Sequence, residues 1–240
     1  FLVYDATAGK KISGRIGEYF AKVAKVPQRL MANTSIPNKL IAQDRFLQKE
    51  KYYKNTSFTD SGYLLISSYS SDFKQTVIKL LRLSDGHILH IWKPDLQAIK
   101  STPRKPGPHF KPQKITGSQF RTIHPVLLKN KSIVIKGEYG IYKLDSNSKI
   151  IWHREGHYHH STEIDINGNF WIASVCEPAT PKNTLYKDLE DDAIVQLDTS
   201  GNVLFKKSIA EILIENGYEY IVCGVGVFDY DAIHVNDIQP

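Results

Sequence analysis

Three segments of this chain end alike: "LLRLSDGHILHIW" (80–92), "IYKLDSNSKIIWH" (141–153) and "IVQLDTSGNVLFK" (194–206). Each runs through alternating apolar residues to a leucine, passes an Asp-containing polar turn, and continues as a second strand bearing Trp or Phe. The marker leucines, Leu83, Leu144 and Leu197, are 61 and 53 residues apart. Each unit also has a front half that reads as inner strands: "GYLLISSYS" (62–70), "HPVLLKNKSIVIKGE" (124–138) and "HSTEIDINGNFWIAS" (160–174). A sheet apolar on both faces cannot bury them alone, so such units must stack on one another. Four short strands per unit, at a period of roughly 40–60 residues, predict a β-propeller. A β-sandwich is the competing all-β arrangement, but it leaves the repeat unexplained.

The rest of the chain sets the boundaries. Residues 13–31 read as a helix capped by Ser13, with Ile16, Phe20 and Val23 on one face and Pro27 near its end. Residues 1–51 are therefore expected to be a basic helix and linker, and 52–240 a partial propeller of three to four blades. Residues 93–121 and 177–191 read as long loops, the first with 7 basic residues against one acid. A second short helix is expected at "SIAEILIENGY" (208–218), where Ser208 and Glu211 fit a capping box and Gly217 a stop. "IHVNDIQP" (233–240) opens like a further unit. A chain that starts at Phe1 and stops there is expected to be part of a longer protein.

Charge is uneven. Residues 1–54 hold 11 Lys/Arg against 4 Asp/Glu, and the whole chain carries a net charge of +6. A basic leader on a near-neutral body suits an anionic membrane surface, or is simply a solvated helix. No nucleic-acid-binding motif accompanies the charge, so no nucleic-acid partner is expected. No apolar run is long enough to span a bilayer. Two cysteines, Cys176 and Cys223, fit one disulfide in an oxidising compartment or two buried thiols.

The chemistry concentrates in "EGHYHHSTEIDINGNFWI" (155–172). His157, His159 and His160, with His153, are enough ligands for zinc or copper. On a strand, however, His157 and His159 share a face and His160 points away, which argues against one metal site. A rim position is the plain alternative. The repeat suggests a third reading, because His124, His160 and His234 occupy the same place in successive units. Innermost strands of a propeller line its channel, so the three imidazoles would ring a pocket suited to an anion and to proton transfer. Asp145, Asp165 and Asp198 read as turn residues, and Trp92, Trp152 and Trp171 as packing aromatics, with Trp171 also a candidate to stack on an aromatic ligand.

"HHSTEIDINGNFWI", "DDAIVQLDTSGNVLF" and "DAIHVNDIQP" resemble the bacterial arylsulfotransferase (aryl-sulfate sulfotransferase) family, most strongly from residue 120 onward. The most specific elements are "HHS" at 159–161 and the His-x-Asn-Asp run at 234–237. The resemblance implies a six-bladed propeller in the periplasm or cell envelope, held by an anchor upstream of Phe1. It implies transfer of a sulfuryl group from an aryl sulfate to a phenol through a sulfohistidine, without a cofactor. By that resemblance His160, His234 and Asn236 are catalytic; His124, His159 and Trp171 are separately expected to contact substrate. The family's arginine and nucleophilic histidine would follow residue 240. The expected partners are small phenols and aryl sulfates. A non-catalytic, membrane-associated binding scaffold is the alternative.

Overall fold

A computed structural model describes residues 59–103, 115–117, 120–137, 140–181, 189–224 and 231–240. The expected helix at 13–31, the basic leader and the boundary at 51/52 lie outside those residues. So does the side chain of Cys223, and with it any pairing of the two cysteines.

The described chain is all-β apart from three short helices. β1 (Tyr63–Ser70), β2 (Gln75–Arg82) and β3 (Ile88–Trp92) form one sheet in that order. After α1 (Leu96–Ser101) come β4 (Val126–Leu127), β5 (Ile133–Gly137), β6 (Gly140–Leu144) and β7 (Ile150–Glu155), which make the second sheet. β8 (Tyr158–Ile164), β9 (Phe170–Cys176), β10 (Asp191–Leu197) and β11 (Val203–Ser208) make the third. Then follow α2 (Ile209–Glu215) and α3 (Glu219–Gly224). Each sheet is ordered as a meander, with chain neighbours as sheet neighbours. The first has three described strands where four per unit were expected.

The hairpins share one turn chemistry. At Leu128–Ser132, Asp145–Lys149, Asp165–Asn169 and Asp198–Asn202 the first N–H bonds the fifth carbonyl at 2.9–3.0 Å. The fourth residue of each, Lys131, Ser148, Gly168 or Gly201, has positive φ. This is a type I turn closed by a left-handed residue, the form that matches strand twist in a short hairpin. In the last three turns the aspartate Oδ1 accepts from the N–H groups two and four residues on. The turn reading of Asp145, Asp165 and Asp198 holds for that reason.

Strand alternation sorts the core. On β5, Ile133 and Ile135 join Ile78, Trp92, Ile99, Phe120 and Tyr142 in one cluster. Val134, on the opposite face, joins Ile141, Phe170, Ile172, Val195 and Leu197 in another. The second sheet is thus buried on both faces, as a stacked sheet must be. Full burial of each such side chain contributes about 2 kcal/mol. Between sheets, outer strands donate to the turns of the following sheet. His90 Nε2 on β3 lies 2.8 Å from the Ser146 carbonyl. Trp152 Nε1 on β7 donates to the Thr199 carbonyl at 3.1 Å, and Arg154 donates to Gly201 O and to Asn202 Oδ1.

The chain forms two compact units. The larger takes the described residues up to Val175 with Ile194–Lys206 and Val235–Pro240; the smaller contains Cys176–Ala193 and Lys207–His234. In the smaller, Leu189, Ala210 and Val222 form the core. Ser208 caps α2 by accepting from Glu211 N at 2.9 Å, and its hydroxyl donates to the fully buried Asp191 at 2.5 Å. Gly217, at φ 80, follows the helix end. That helix falls where the capping box and glycine predicted it. α1 was not foreseen within the loop at 93–121. It is a single capped turn held by Asp95, too short for any periodicity to show.

Candidate functional site

The histidine-rich strand is irregular where it matters. β8 pairs with β9 through Tyr158↔Ser174 and His159↔Ala173, and next through Thr162↔Ile172. His160 and Ser161 are the surplus residues of a bulge. His160 adopts φ 52, a left-handed conformation that costs a residue with a Cβ about 1 kcal/mol or more. A bulge of this kind re-aims side chains. The His159 and His160 rings meet edge-on, with centroids 5.1 Å apart, and His157 lies 5.4 Å from His159. Strict alternation would have sent His160 to the opposite face. The bulge instead makes the three rings a contiguous row. His160 also lies inside β8 rather than at its start.

His157 is half-buried. Burial drives its pKa down to about 3, with His159 and His160 adding repulsion, so its imidazole is neutral at physiological pH. Among the described residues, no three His, Cys, Asp or Glu side chains are grouped to hold a metal ion.

The C-terminal segment docks on the bulge. Ser161 N–H donates to the Asn236 carbonyl at 3.2 Å, which brings the backbones of the His-Ser and Asn-Asp elements together. The buried Ser161 hydroxyl faces the Asp237 carboxylate without a well-aligned hydrogen bond. That hydroxyl, then the Gln239 amide 3.0 Å away, hold Asp237 below the usual carboxylate range, and His124 adds a smaller electrostatic pull. Ser161, Asn236, Asp237 and His124 therefore share one neighbourhood in the larger unit.

Register refines the place of His124. Leu127 pairs with Ile133 and Ile164 with Phe170 across hairpins of equal length. Counted from those turns, His124 corresponds to Ser161, one position beyond His160. His124 too has a left-handed backbone, at φ 45. His234 lies in the smaller unit, 56% exposed, with Nδ1 2.7 Å from Asp231 Oδ2. Residues 231–240 form no strand.

Trp171 serves the hairpin beside the site. Its indole N–H donates to Asp165 Oδ2 at 3.0 Å, and its ring lies 6.2 Å from that of Phe205. Burial opposes ionisation of Asp165. Donors from Trp171, Asn169 and Gln196 outweigh it and hold the carboxylate far below its ordinary range.

One group escaped the sequence reading altogether. Lys136 shares the face of β5 with Val134 and is 2% exposed. Its ammonium donates to Thr162 Oγ1, next to the bulge, at 2.5 Å. Burial pulls its pKa down to about 7, against a raising influence from Glu163. The only sequence signal was a lysine inside the apolar run "SIVIKG". Asp237 and Ser161 stood inside the quoted motifs, but their roles depend on docking that no motif displays. Together the row of imidazoles, a buried amine and a carboxylate provide groups that can hold an oxyanion and move protons.

No helix among the described residues is long and apolar enough to cross a membrane. Residues 124–240 match a family model described as Arylsulfotransferase (ASST). No curated protein sequence matches the chain. Among solved structures, BamB from Moraxella catarrhalis is similar at 12% identity and a TM-score of 0.31, over 60% of this chain. The chain spans 37% of the length of that structure.

Proposed function

We propose, from the match of residues 124–240 to the arylsulfotransferase family model, that this protein moves a sulfuryl group between phenolic compounds through a sulfohistidine. The observation that carries the reading is the docking of the His-x-Asn-Asp segment on the histidine bulge, through Ser161 N–H and the Asn236 carbonyl. Both halves of that contact fall inside the family-matched residues.

In the first half-reaction a histidine nitrogen attacks the ester sulfur. An N–S bond forms, the S–O bond to the aryl group breaks, and the phenolate leaves and takes a proton. In the second half, the acceptor phenol gives up its proton, its oxygen attacks sulfur, and the N–S bond breaks. Splitting one difficult transfer into two is the advantage of covalent catalysis. His160, His234 and Asn236 stabilise charge on the sulfuryl oxygens and the departing phenolate. His124 and His159 line the approach of the anionic donor, and Trp171 offers a stacking surface for its ring. The stacked sheets are blades of a six-bladed propeller, and the protein works in the periplasm or cell envelope.

The test uses the full-length protein with 4-nitrophenyl sulfate and phenol. Phenol-dependent release of 4-nitrophenolate is expected, and His160→Ala or His234→Ala should lower kcat by about 10²-fold. Absence of phenol-dependent release, or unchanged rates in both variants, would refute the assignment and favour a binding scaffold.

A further inference from the structure

The larger unit carries a polar concavity whose lining includes none of the residues of the histidine bulge. It is a cleft of about 510 Å³, lined by residues of the β1–β2 turn and the start of β2, the segment after β3, α1, and Gly117. Lys74, Lys93 and Lys100 present three cations to it, with Gln75 and Gln97 beside them. The single carboxylate, Asp95, is committed to the helix: its Oδ1 accepts from Gln97 N at 2.8 Å and Ala98 N at 3.1 Å. Three ammonium groups against one carboxylate leave the lining cationic on balance, with glutamine amides beside them.

The walls are tied down. Gln75 is buried, and its amide donates to the Pro94 carbonyl at 2.8 Å, joining the two sides of the cleft. Thr76 anchors the same strand by donating to Phe120 O at 2.7 Å. A Cβ on Gly117 would stand 2.0 Å from the Lys74 carbonyl, so only glycine allows that approach. Lys93 is steadied with its ammonium 4.9 Å from the centre of the Phe73 ring, a cation–π contact. Lys74 occupies a left-handed position, φ 53, where glycine would be easier.

We infer that this cleft is a binding site for a phosphate or sulfate monoester of a small polar molecule. Several ammonium groups around one concavity suit an oxyanion, and glutamine amides suit the hydroxyls of its carrier. Among the described residues that line it there is no histidine, serine or cysteine.

The test is calorimetric titration of the full-length protein with glucose 6-phosphate, glucose 6-sulfate and glucose. Saturable binding of one or both esters, none of glucose, and weakening at high ionic strength are expected. Which ester binds more tightly identifies the oxyanion. Lys93→Gln should weaken binding by about fivefold, the effect of one partly exposed charge pair. Lys74→Gly should do the same while raising the unfolding midpoint, because it removes a cation and relieves the backbone together. That combination separates lost recognition from lost folding. His160→Ala should leave glucose 6-phosphate binding unchanged. The inference is overturned if neither ester binds saturably, if glucose binds equally well, or if His160→Ala weakens binding and the lysine variants do not. None of these outcomes depends on sulfuryl transfer, so this site and the enzyme reading fail independently.

Discussion

Two bases, the half-buried His157 and the buried Lys136, carry the pH dependence expected of the folded protein. The folded pKa of His157 is about 3, against about 6.5 in an unfolded chain. Between those values the unfolded state binds the proton and the folded state does not, so stability falls as pH drops through that window. The loss is on the order of 4 kcal/mol across the range. Denaturant unfolding from pH 7 to pH 4 should show that slope in the wild type and a flatter one in His157→Gln. Equal slopes would mean that His157 is solvated. Lys136 follows the same sign in a higher window. Its folded pKa of about 7 lies below the ordinary 10.5, so stability rises with pH between those values. Replacing the buried ammonium by an isosteric apolar chain removes a desolvation cost. Lys136→Met should therefore stabilise the fold at pH 6 by roughly 1–3 kcal/mol, and less at pH 9. A loss of stability at pH 6 would show that the Thr162 contact outweighs burial.

At the scale of the hairpin, the recurring turn makes separable demands on its fourth residue. Gly168 has φ 86, and a Cβ there would meet only Thr199 Cγ2 at 3.8 Å. Gly201 has φ 82, and a Cβ there would lie 2.9 Å from the Trp152 ring. Gly168→Ala should cost about 1 kcal/mol, the price of the backbone alone. Gly201→Ala adds a clash with an indole held by the Thr199 carbonyl, and should cost roughly 1–2 kcal/mol more. Thermal unfolding of the two variants decides the matter, and equal losses would mean that the indole yields freely. The turns tolerate lysine and serine at this position in Lys131 and Ser148, at φ 63 and 66. The left-handed demand is thus a cost that other contacts outweigh, which is why the sequence does not show glycine in every unit.

Over the whole molecule, the recurring device is an outer strand that donates to the next sheet's turn. Trp152 and Arg154 make it between the second and third sheets, and His90 lies against Ser146 between the first and second. Trp152→Phe keeps most of the packing against Phe170, whose ring lies 6.3 Å away, and deletes one donor. It should cost about 1 kcal/mol, read as a shift in the denaturant midpoint at constant slope. A changed slope would point instead to altered cooperativity between the sheets. The sulfuryl-transfer assay belongs to this scale too, since the proposed site draws on β8, His124 ahead of β4 and the C-terminal segment.

Hairpin positions, the three aspartate turns and the capped helix α2 were legible in the sequence, because each depends on neighbours within about ten residues. Periodicity, turn residues and caps encode those interactions locally. His160 and Asn236 could be named from motifs, and their common neighbourhood could be expected from a repeat. Tertiary structure alone decided how they meet. The His160–Ser161 bulge turns a residue that alternation would have pointed away, and it does so where the distant Asn236 carbonyl meets the Ser161 N–H. Lys136 is the same lesson in charge. A lysine on a strand reads as solvent-facing until packing of one sheet against the next removes the water, and only then does its ammonium become a buried group beside the site.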